Sequence, residues 1–280
     1  MKPQDAAAPK PSAGVLKELL PRTLSALVLI PIGLGAAVYG GPWMAGAAGA
    51  VALAAAYEWA RMSEPEALTP AFLFALVGAL GAVMFASWDE TALGLAWLGL
   101  CAALSAFRRR SLAGIIETAG GALYVGAPPA LFVWIRGHEP HGFALVMLIF
   151  AAIWAADIAA YFVGTLIGGP KVHRALSPQK TWSGLLGGTL AGAAAGAGAA
   201  LFFAAEAPLW AGIGAVLAMT GLAGDLFESA LKRRFNVKDS SRFIPGHGGV
   251  LDRLDGCMAA TLLMAAALAT WPDFGVMLLP

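Results

Sequence analysis

The stretch "FALVMLIFAAIWAADIAAYFVGTLIG", residues 143–168, decides the fold class of this protein. It is apolar along its whole length and carries one charged side chain, that of Asp157. A helix that spans a bilayer needs about 20 predominantly apolar residues, and this run exceeds that length. The chain as a whole is 59% hydrophobic and only 12% charged, whereas soluble domains carry roughly 25% charged residues. The sequence therefore predicts an integral membrane protein.

Comparable apolar runs recur on both sides of this stretch. The first follows Arg22 and is expected to stay as an uncleaved helix, because a Gly-Pro turn joins it directly to the second run. We predict an N-terminal tail (1–22), N-terminal transmembrane helices (23–135) and a C-terminal region (136–280) that carries the candidate catalytic residues. The fold class is all-α, a polytopic integral membrane protein with nine transmembrane helices near 24–40, 43–60, 70–87, 91–107, 114–135, 143–168, 183–204, 208–227 and 257–272.

The distribution of positive charge indicates how these helices are oriented. With the N-terminal tail in the cytoplasm, Arg136 alone of the 18 Lys and Arg residues falls on the outer side. Lys and Arg concentrate on the cytoplasmic side of membrane proteins, so the asymmetry supports both the direction and the helix count. No eukaryotic targeting signal is visible, and we expect a bacterial inner membrane. The net charge of +1 and the lack of a basic face argue against nucleic-acid binding.

Asp157 is the most informative acid within the membrane helices. Tyr161, Gly164 and Gly168 follow it at intervals that place all four residues on one helical stripe. Ionisable groups inside a membrane are costly and usually face a cavity or a partner. We favour a polar cavity wall over an interhelical hydrogen bond that only holds the bundle together.

Other unusual residues in the helices have simpler interpretations. Glu58 precedes Arg61 at a cytoplasmic helix end, where an interfacial ion pair explains it. Glu117 lies near the arginine run 108–110, and a similar ion pair with that run explains it. A stripe of glycines is predicted to let a neighbouring helix approach closely. Its members recur every four residues in the seventh helix: Gly184, Gly188, Gly192 and Gly196.

The stretch "KDSSRFIPGHGGVLDRLDG", residues 238–256, concentrates polar chemistry in an otherwise apolar chain. Together with the end of the eighth helix it interleaves acids and bases, which suits a site for a divalent metal and a polyphosphate. Asp252 and Asp255 share a face if a helix begins near Leu251, and they form a plausible pair of metal ligands opposite Asp225. The glycines would let the main chain approach a ligand, and His247 could donate to a phosphate or act as an acid.

A second polar segment, "GPKVHRALSPQKTW" at 169–182, carries Ser177 and Lys180 just before a helix. Thr181 or Ser183 is expected to cap that helix. A lysine at a helix start is unfavourable for the helix dipole, so a phosphate is the natural partner for Lys180. The residues thus indicate a metal-and-phosphate site at the cytoplasmic face, with one substrate from the bilayer and one from the cytosol.

The segment "SALKRRFNVKDSSRFIPGHGGVLDRLD", residues 229–255, closely resembles the signature of the phosphatidate cytidylyltransferases, or CDP-diglyceride synthases. The fixed positions of that signature are S-x-apolar-K-R, K-D, P-G-H-G-G and D-R-apolar-D, and this sequence meets them all. A second family segment resembles Asp157 through Gly184. The sequence departs from the family pattern at Thr165, where many relatives have a basic residue, and at Gly256, which replaces a common serine.

The resemblance implies transfer of a cytidylyl group from CTP to phosphatidic acid, giving CDP-diacylglycerol and pyrophosphate. It implies Mg²⁺ as cofactor, with a second, monovalent cation such as K⁺ as an option, and homodimerisation is plausible for the family. The implied catalytic residues are Asp225, Asp252, Asp255, His247 and Lys232, of which the three aspartates are the metal ligands. The implied substrate-binding residues are Asp157, Tyr161, Ser177, Lys180, Ser229, Arg233, Lys238, Asp239, Arg242, Gly248, Gly249 and Arg253.

Two other classes of function stay open at this point. Another membrane enzyme that uses CTP, such as a polyprenol or phytol kinase, would move phosphate instead of cytidylate. An ion-coupled transporter would use Asp157 and Asp225 as coupling sites, although the large charged cytoplasmic segment argues against it.

Overall fold

The computed structural model describes residues 13–64, 68–241, 243–244, 248–271 and 274–278. Most of this part of the chain is helical, and a two-stranded antiparallel hairpin is inserted before the seventh helix. The elements are α1 (Ala13–Tyr39), α2 (Gly41–Ser63), α3 (Pro70–Ser87), α4 (Thr91–Ala106), α5 (Leu112–Arg136), α6 (Gly142–Leu166), β1 (Lys171–His173), β2 (Ser177–Thr181), α7 (Trp182–Phe203), α8 (Ala207–Arg234), α9 (Leu251–Thr270) and α10 (Phe274–Leu278).

Helices α1 to α9 correspond to the nine predicted segments, with three differences in extent. Helix α1 begins at Ala13, inside the stretch predicted to be a tail. Helix α8 continues to Arg234 and α9 begins at Leu251, so both helices extend into the polar segment between them. The hairpin is a small departure from the predicted all-α class. It forms where Pro178 disfavours helical backbone at the residue before it.

Six helices of the described residues are long and apolar enough to cross a membrane: α3, α5, α6, α7, α8 and α9. Large apolar side chains point outward from the bundle, as at Leu166, Leu201 and Phe202, which are 82%, 80% and 81% exposed. A soluble protein rarely exposes contiguous apolar surface of this kind. The chain is therefore a multi-pass α-helical membrane protein.

The glycine stripe of α7 packs as predicted. Gly184, Gly188, Gly192 and Gly196 are all buried. A Cβ atom at Gly188 would lie 2.9 Å from the carbonyl oxygen of Ala156 on α6, and one at Gly192 would lie 2.8 Å from that of Gly214 on α8. Glycine thus lets α7 approach both neighbours, backbone against backbone, and holds α6, α7 and α8 together around the site.

Ion pairs and hydrogen bonds join helix ends that are predicted to share a side of the membrane. Arg109 pairs with Glu64, and Arg234 pairs with Glu117. At the opposite ends, Arg136 donates to the carbonyl oxygen of Ala37 at 2.6 Å. The interpretation of Glu117 as a partner of the arginine run 108–110 was wrong, because its partner lies on α8.

Candidate active site

A cavity of about 710 Å³ lies between α6, α7, α8, α9 and the hairpin. Asp157 and Tyr161 line it, as predicted for their helical stripe, whereas Gly168, the last member of the stripe, is not among the lining residues. Gly164 lines it as well. The charged side chains on its wall come from five different elements and are Asp157, Lys171, Lys180, Asp225 and Arg253. The apolar part of the wall includes Ala156, Ala160, Leu185, Ala218 and Leu222.

The charges in this cavity act on one another. Lys180 forms an ion pair with Asp225, whose side chain is 38% exposed. The charge of Asp157 interacts with those of Asp225, Lys180 and Arg253. Residues that are 96 positions apart in the chain therefore form one charged cluster at the cavity. The sequence predicted a phosphate as the partner of Lys180. In this structure its partner is the carboxylate of Asp225.

Asp225 and Asp255 lie on neighbouring helices that are closely packed at this level, since a Cβ atom at Gly224 would lie 2.6 Å from the carbonyl oxygen of Asp255. Their like charges repel, and Glu228 adds to the negative charge around Asp255. One oxygen of Asp255, Oδ1, accepts a hydrogen bond from the backbone N–H of Gly256 at 2.8 Å. The convergence of these two acids on a cation stays a prediction.

Asp252, the third predicted metal ligand, is directed elsewhere. Its Oδ1 accepts a hydrogen bond from Lys232 at 2.6 Å. Its Oδ2 accepts from the backbone N–H groups of Ser240 at 3.0 Å and Gly249 at 2.8 Å. Across the described part of the chain, no three His, Cys, Asp or Glu side chains lie close enough to hold a metal ion together. The three-aspartate ligand set is therefore not assembled, because Asp252 is occupied by the segment that precedes α9.

Lys232 connects two buried acids. Besides Asp252, its ammonium group forms an ion pair with Oε1 of Glu228 at 3.2 Å. Glu228 is only 1% exposed. A buried charge is costly unless it is paired, so this lysine stabilises both carboxylates. Lys232 thus has a structural role in addition to the substrate contact that the sequence suggested.

Glu58 is the residue whose importance the sequence did not reveal. It is fully buried, and its carboxylate accepts hydrogen bonds from the hydroxyl groups of Ser240 at 2.9 Å and Ser241 at 2.6 Å. It also accepts from the backbone N–H groups of Val250 at 2.8 Å and Leu251 at 2.9 Å. The interpretation of Glu58 as an interfacial partner of Arg61 was wrong. An acid surrounded by apolar residues was the available signal, but its partners lie more than 180 positions away.

The glycines of the polar segment make room for these acids. The N–H of Gly249 donates to Asp252, and a Cβ atom on Gly249 would lie 2.6 Å from Oε2 of Glu58. Gly248 has φ +86°, a conformation that side chains rarely adopt, and its Cβ would lie 2.8 Å from Oδ2 of Asp252. The predicted contact between these glycines and a phosphate is thus replaced, for the N–H of Gly249, by a contact within the protein. Arg242 and His247 lie outside the described residues.

A second, smaller pocket of about 240 Å³ adjoins the hairpin and the end of α8. It shares Pro178 and Gln179 with the larger cavity. It brings together six of the predicted site residues, which come from three parts of the chain: Ser177, Ser229, Lys232, Arg233, Lys238 and Asp239. Three of these six are cations and one is an acid, so the pocket is suited to an anionic ligand.

The fold and the site together define a membrane-embedded protein with a charged, phosphate-compatible site between its C-terminal helices. Residues 20–271 match the model of the Cytidylyltransferase family. The chain is 38% identical over 253 residues to the phosphatidate cytidylyltransferase of Brucella suis biovar 1 (strain 1330), covering 89% of this chain and 93% of the relative. It is 34% identical over 259 residues to the phosphatidate cytidylyltransferase of Pseudomonas aeruginosa, covering 88% of this chain and 96% of the relative. The chain belongs to the cytidylyltransferase family.

Proposed function

We propose that this protein is a phosphatidate cytidylyltransferase, which transfers the cytidylyl group of CTP to phosphatidic acid and yields CDP-diacylglycerol and pyrophosphate. The observation that carries the proposal is the pair of adjoining pockets. One is walled partly by membrane helices and the other is lined by cations, and they share Pro178 and Gln179. Family membership and relatives of this name over most of the chain support it.

The larger cavity suits the lipid substrate. Its apolar wall comes from α6, α7 and α8, three of the helices that are able to cross a membrane. At its polar part, Lys171, Lys180 and Arg253 provide positive charge for the phosphate of phosphatidic acid. Asp157 and Tyr161 would line the entry of that headgroup.

The smaller pocket suits the phosphates of CTP. Arg233 and Lys238 would neutralise negative charge there, whereas Lys232 is already paired with Glu228 and Asp252. Ser177 and Ser229 offer hydroxyl donors. The pocket lies toward the polar end of α8, beyond Asp225, where a nucleotide from the cytosol would arrive. This division assigns Arg233 and Lys238 to CTP and Lys171 and Arg253 to the lipid.

The reaction then requires the two substrates to meet at the wall that both pockets share. A phosphate oxygen of the lipid forms a bond to the α-phosphorus of CTP, and the bond from that phosphorus to the β-phosphate oxygen breaks. Pyrophosphate leaves with that pair of electrons. The attacking oxygen is already anionic, so the site needs no strong base. Phosphoryl-type transfer depends on positioning and on neutralising charge, and the cations of both pockets provide the latter.

Asp225 and Asp255 fit a magnesium ion. Mg²⁺ binds through one or two carboxylates together with substrate phosphates. Asp225 would exchange its ion pair with Lys180 for the metal, and Oδ2 of Asp255 would complete the pair of ligands. When bound, the ion would neutralise charge that develops on the phosphates. Asp252 does not fit this ligand set, because Lys232, Ser240 and Gly249 occupy its oxygens. A second, monovalent cation and a homodimer stay predictions.

The proposed setting is a bacterial inner membrane, with nine spans and the site facing the cytoplasm. The contacts between helix ends support alternating spans, because the Glu64–Arg109 and Glu117–Arg234 pairs join ends predicted to be cytoplasmic. The Arg136–Ala37 contact joins ends predicted to lie outside. The positive-inside asymmetry supports the same direction.

Labelled CTP distinguishes this function from its rivals. Purified protein is incubated with phosphatidic acid, Mg²⁺ and CTP labelled either at the α-phosphate or at the γ-phosphate. We expect the α-label in the lipid product, the γ-label in pyrophosphate, and no transfer when EDTA removes the metal. A γ-label in the lipid would identify a kinase instead. Flux of a solute in proteoliposomes without any lipid labelling would favour a transporter.

A further inference from the structure

We infer that Glu58 is a positioning residue for the transfer reaction: from the N-terminal half of the chain, it holds the start of α9 and thereby places Asp255 and Arg253 at the site. This inference rests on the proposed function for its catalytic consequence, and on the hydrogen bonds of Glu58 for its structural part.

Helix α9 has no cap of its own. Its N-cap residue is Val250, whose side chain makes no capping hydrogen bond. The first backbone N–H groups of a helix have no partner within the helix and need one from outside. Glu58 provides it, because its two carboxylate oxygens accept from the N–H groups of Val250 and Leu251. Negative charge at this position is also favourable for the helix dipole.

The same carboxylate holds the other side of the polar segment. Ser241 donates its hydroxyl group to Oε1 of Glu58. The hydroxyl oxygen of Ser240 lies 2.9 Å from both Oε2 of Glu58 and Oδ2 of Asp252, so these two carboxylates share its one proton. One side chain from α2 therefore joins the two ends of the segment between residues 241 and 250. Gly249 leaves the space that this arrangement requires, since a Cβ atom there would contact both carboxylate oxygens.

The position requires a carboxylate. Both oxygens of Glu58 accept hydrogen bonds, and the side chain is fully buried, so water cannot replace a lost partner. A glutamine would replace one acceptor oxygen by an NH₂ group that faces both a serine hydroxyl and the backbone N–H of Val250 or Leu251. The hydroxyl can turn to accept from it, but the backbone N–H loses its acceptor. A buried donor without an acceptor is unfavourable, and the start of α9 would have to move to relieve it.

Movement at the start of α9 would reach the reacting groups. Arg253, on the cavity wall, and Asp255, beside Asp225, both lie in the first two turns of this helix. A misplacement of about 1 Å at such groups lowers turnover by roughly 100-fold. Helix α2 is thus part of the machinery that positions the site, although none of its side chains needs to touch a substrate.

The test compares E58Q with E64Q in the full-length protein, purified in detergent. Glu64 is a matched control because it follows the same helix, is nearly buried and pairs with Arg109 away from the polar segment. We expect E58Q to lose about 100-fold in kcat with a much smaller change in the KM for CTP, whereas E64Q keeps its turnover. Hydrogen–deuterium exchange should be faster in E58Q only in peptides that contain residues 249–251.

A change in stability alone would lower the melting temperature of both variants and leave kcat per folded molecule unchanged. E58Q turning over as fast as E64Q would therefore overturn the inference. If E58Q does not fold, E58D replaces it in the test, because it keeps both carboxylate oxygens on a shorter side chain. Turnover of E58D below that of the wild type, with faster exchange at 249–251, supports the inference; wild-type values refute it. A wild-type protein without transfer activity would refute the proposed function alone, since the exchange measurement needs no turnover.

Discussion

Asp252→Asn is the most informative single substitution, because the sequence suggested a metal ligand at this position and the structure shows a structural hydrogen-bond acceptor. Asp252 uses both oxygens as acceptors, Oδ1 for Lys232 and Oδ2 for the N–H groups of Ser240 and Gly249. An asparagine has a single acceptor oxygen. In either orientation of its amide, the NH₂ group faces the lysine ammonium or the two backbone donors.

The expected loss of stability follows from the burial of the Lys232–Asp252 ion pair. The side chains of Lys232 and Asp252 are only 13% and 6% exposed, so little solvent compensates for the loss. Removing one partner of a buried pair costs about 3–5 kcal/mol. Lys232 keeps its ion pair with Glu228 at 3.2 Å, which favours the lower end of that range. A loss of about 3 kcal/mol lowers the ratio of folded to unfolded protein by roughly 100-fold.

Two measurements on the same purified variant test this prediction. Denaturant or thermal unfolding in detergent should show the loss of stability, and titration of transfer activity with Mg²⁺ should give a half-maximal concentration close to that of the wild type. Wild-type stability together with a greatly increased requirement for Mg²⁺ would show that Asp252 binds the metal, and the reasoning from its hydrogen bonds would be refuted.

The remaining predictions concern the two pockets. Asp225→Asn is expected to abolish transfer and to leave the protein folded in the membrane, because its side chain is partly exposed; near-normal turnover in a transfer assay would contradict its role as a metal ligand. Arg233→Ala is expected to raise the KM for CTP about tenfold, the effect of losing one charge-assisted hydrogen bond of about 1.5 kcal/mol, and to leave the KM for phosphatidic acid unchanged. Asp157→Asn should instead change the KM for phosphatidic acid. Kinetics in mixed micelles, with each substrate varied in turn, test both variants. An effect of Arg233→Ala on the KM for phosphatidic acid, or of Asp157→Asn on the KM for CTP, would contradict this assignment.

Much of the architecture could be read from local patterns. Helix α3 begins and ends at the predicted residues, 70 and 87. The Thr69 hydroxyl caps it by accepting a hydrogen bond from the backbone N–H of Phe72, and Pro70 occupies its first turn. The start of α3 is therefore determined by residues next to it in the sequence. The cap of α7 by Thr181 is local in the same way. Helix α9 begins at Leu251, as considered from the sequence, but the predicted spans 208–227 and 257–272 cover only the apolar parts of α8 and α9. Charged residues at the membrane surface conceal how far each helix continues into water.

The candidate site also contains residues that local spacing reveals and contacts that it does not. Asp157 and Tyr161 were recognised because their spacing places them on one helical stripe, and a stripe is a property of sequence. The partners of Asp252 were not, because Lys232 lies on α8 and the interaction depends on how α8 and α9 are rotated against each other. Periodicity gives the residues on a face but not the neighbour that the face meets.

By itself, the sequence determined that the chain forms apolar helices suited to cross a bilayer and which family signature the chain carries, and it predicted on which side the charges lie. These properties depend on composition and spacing within single segments, since a backbone in lipid must satisfy its own hydrogen bonds. Only the tertiary structure decided that Glu58 caps α9, that Asp252 pairs with Lys232, and that two pockets share one wall. These contacts join segments as many as 193 positions apart, and they form only when helix packing brings a donor and an acceptor together.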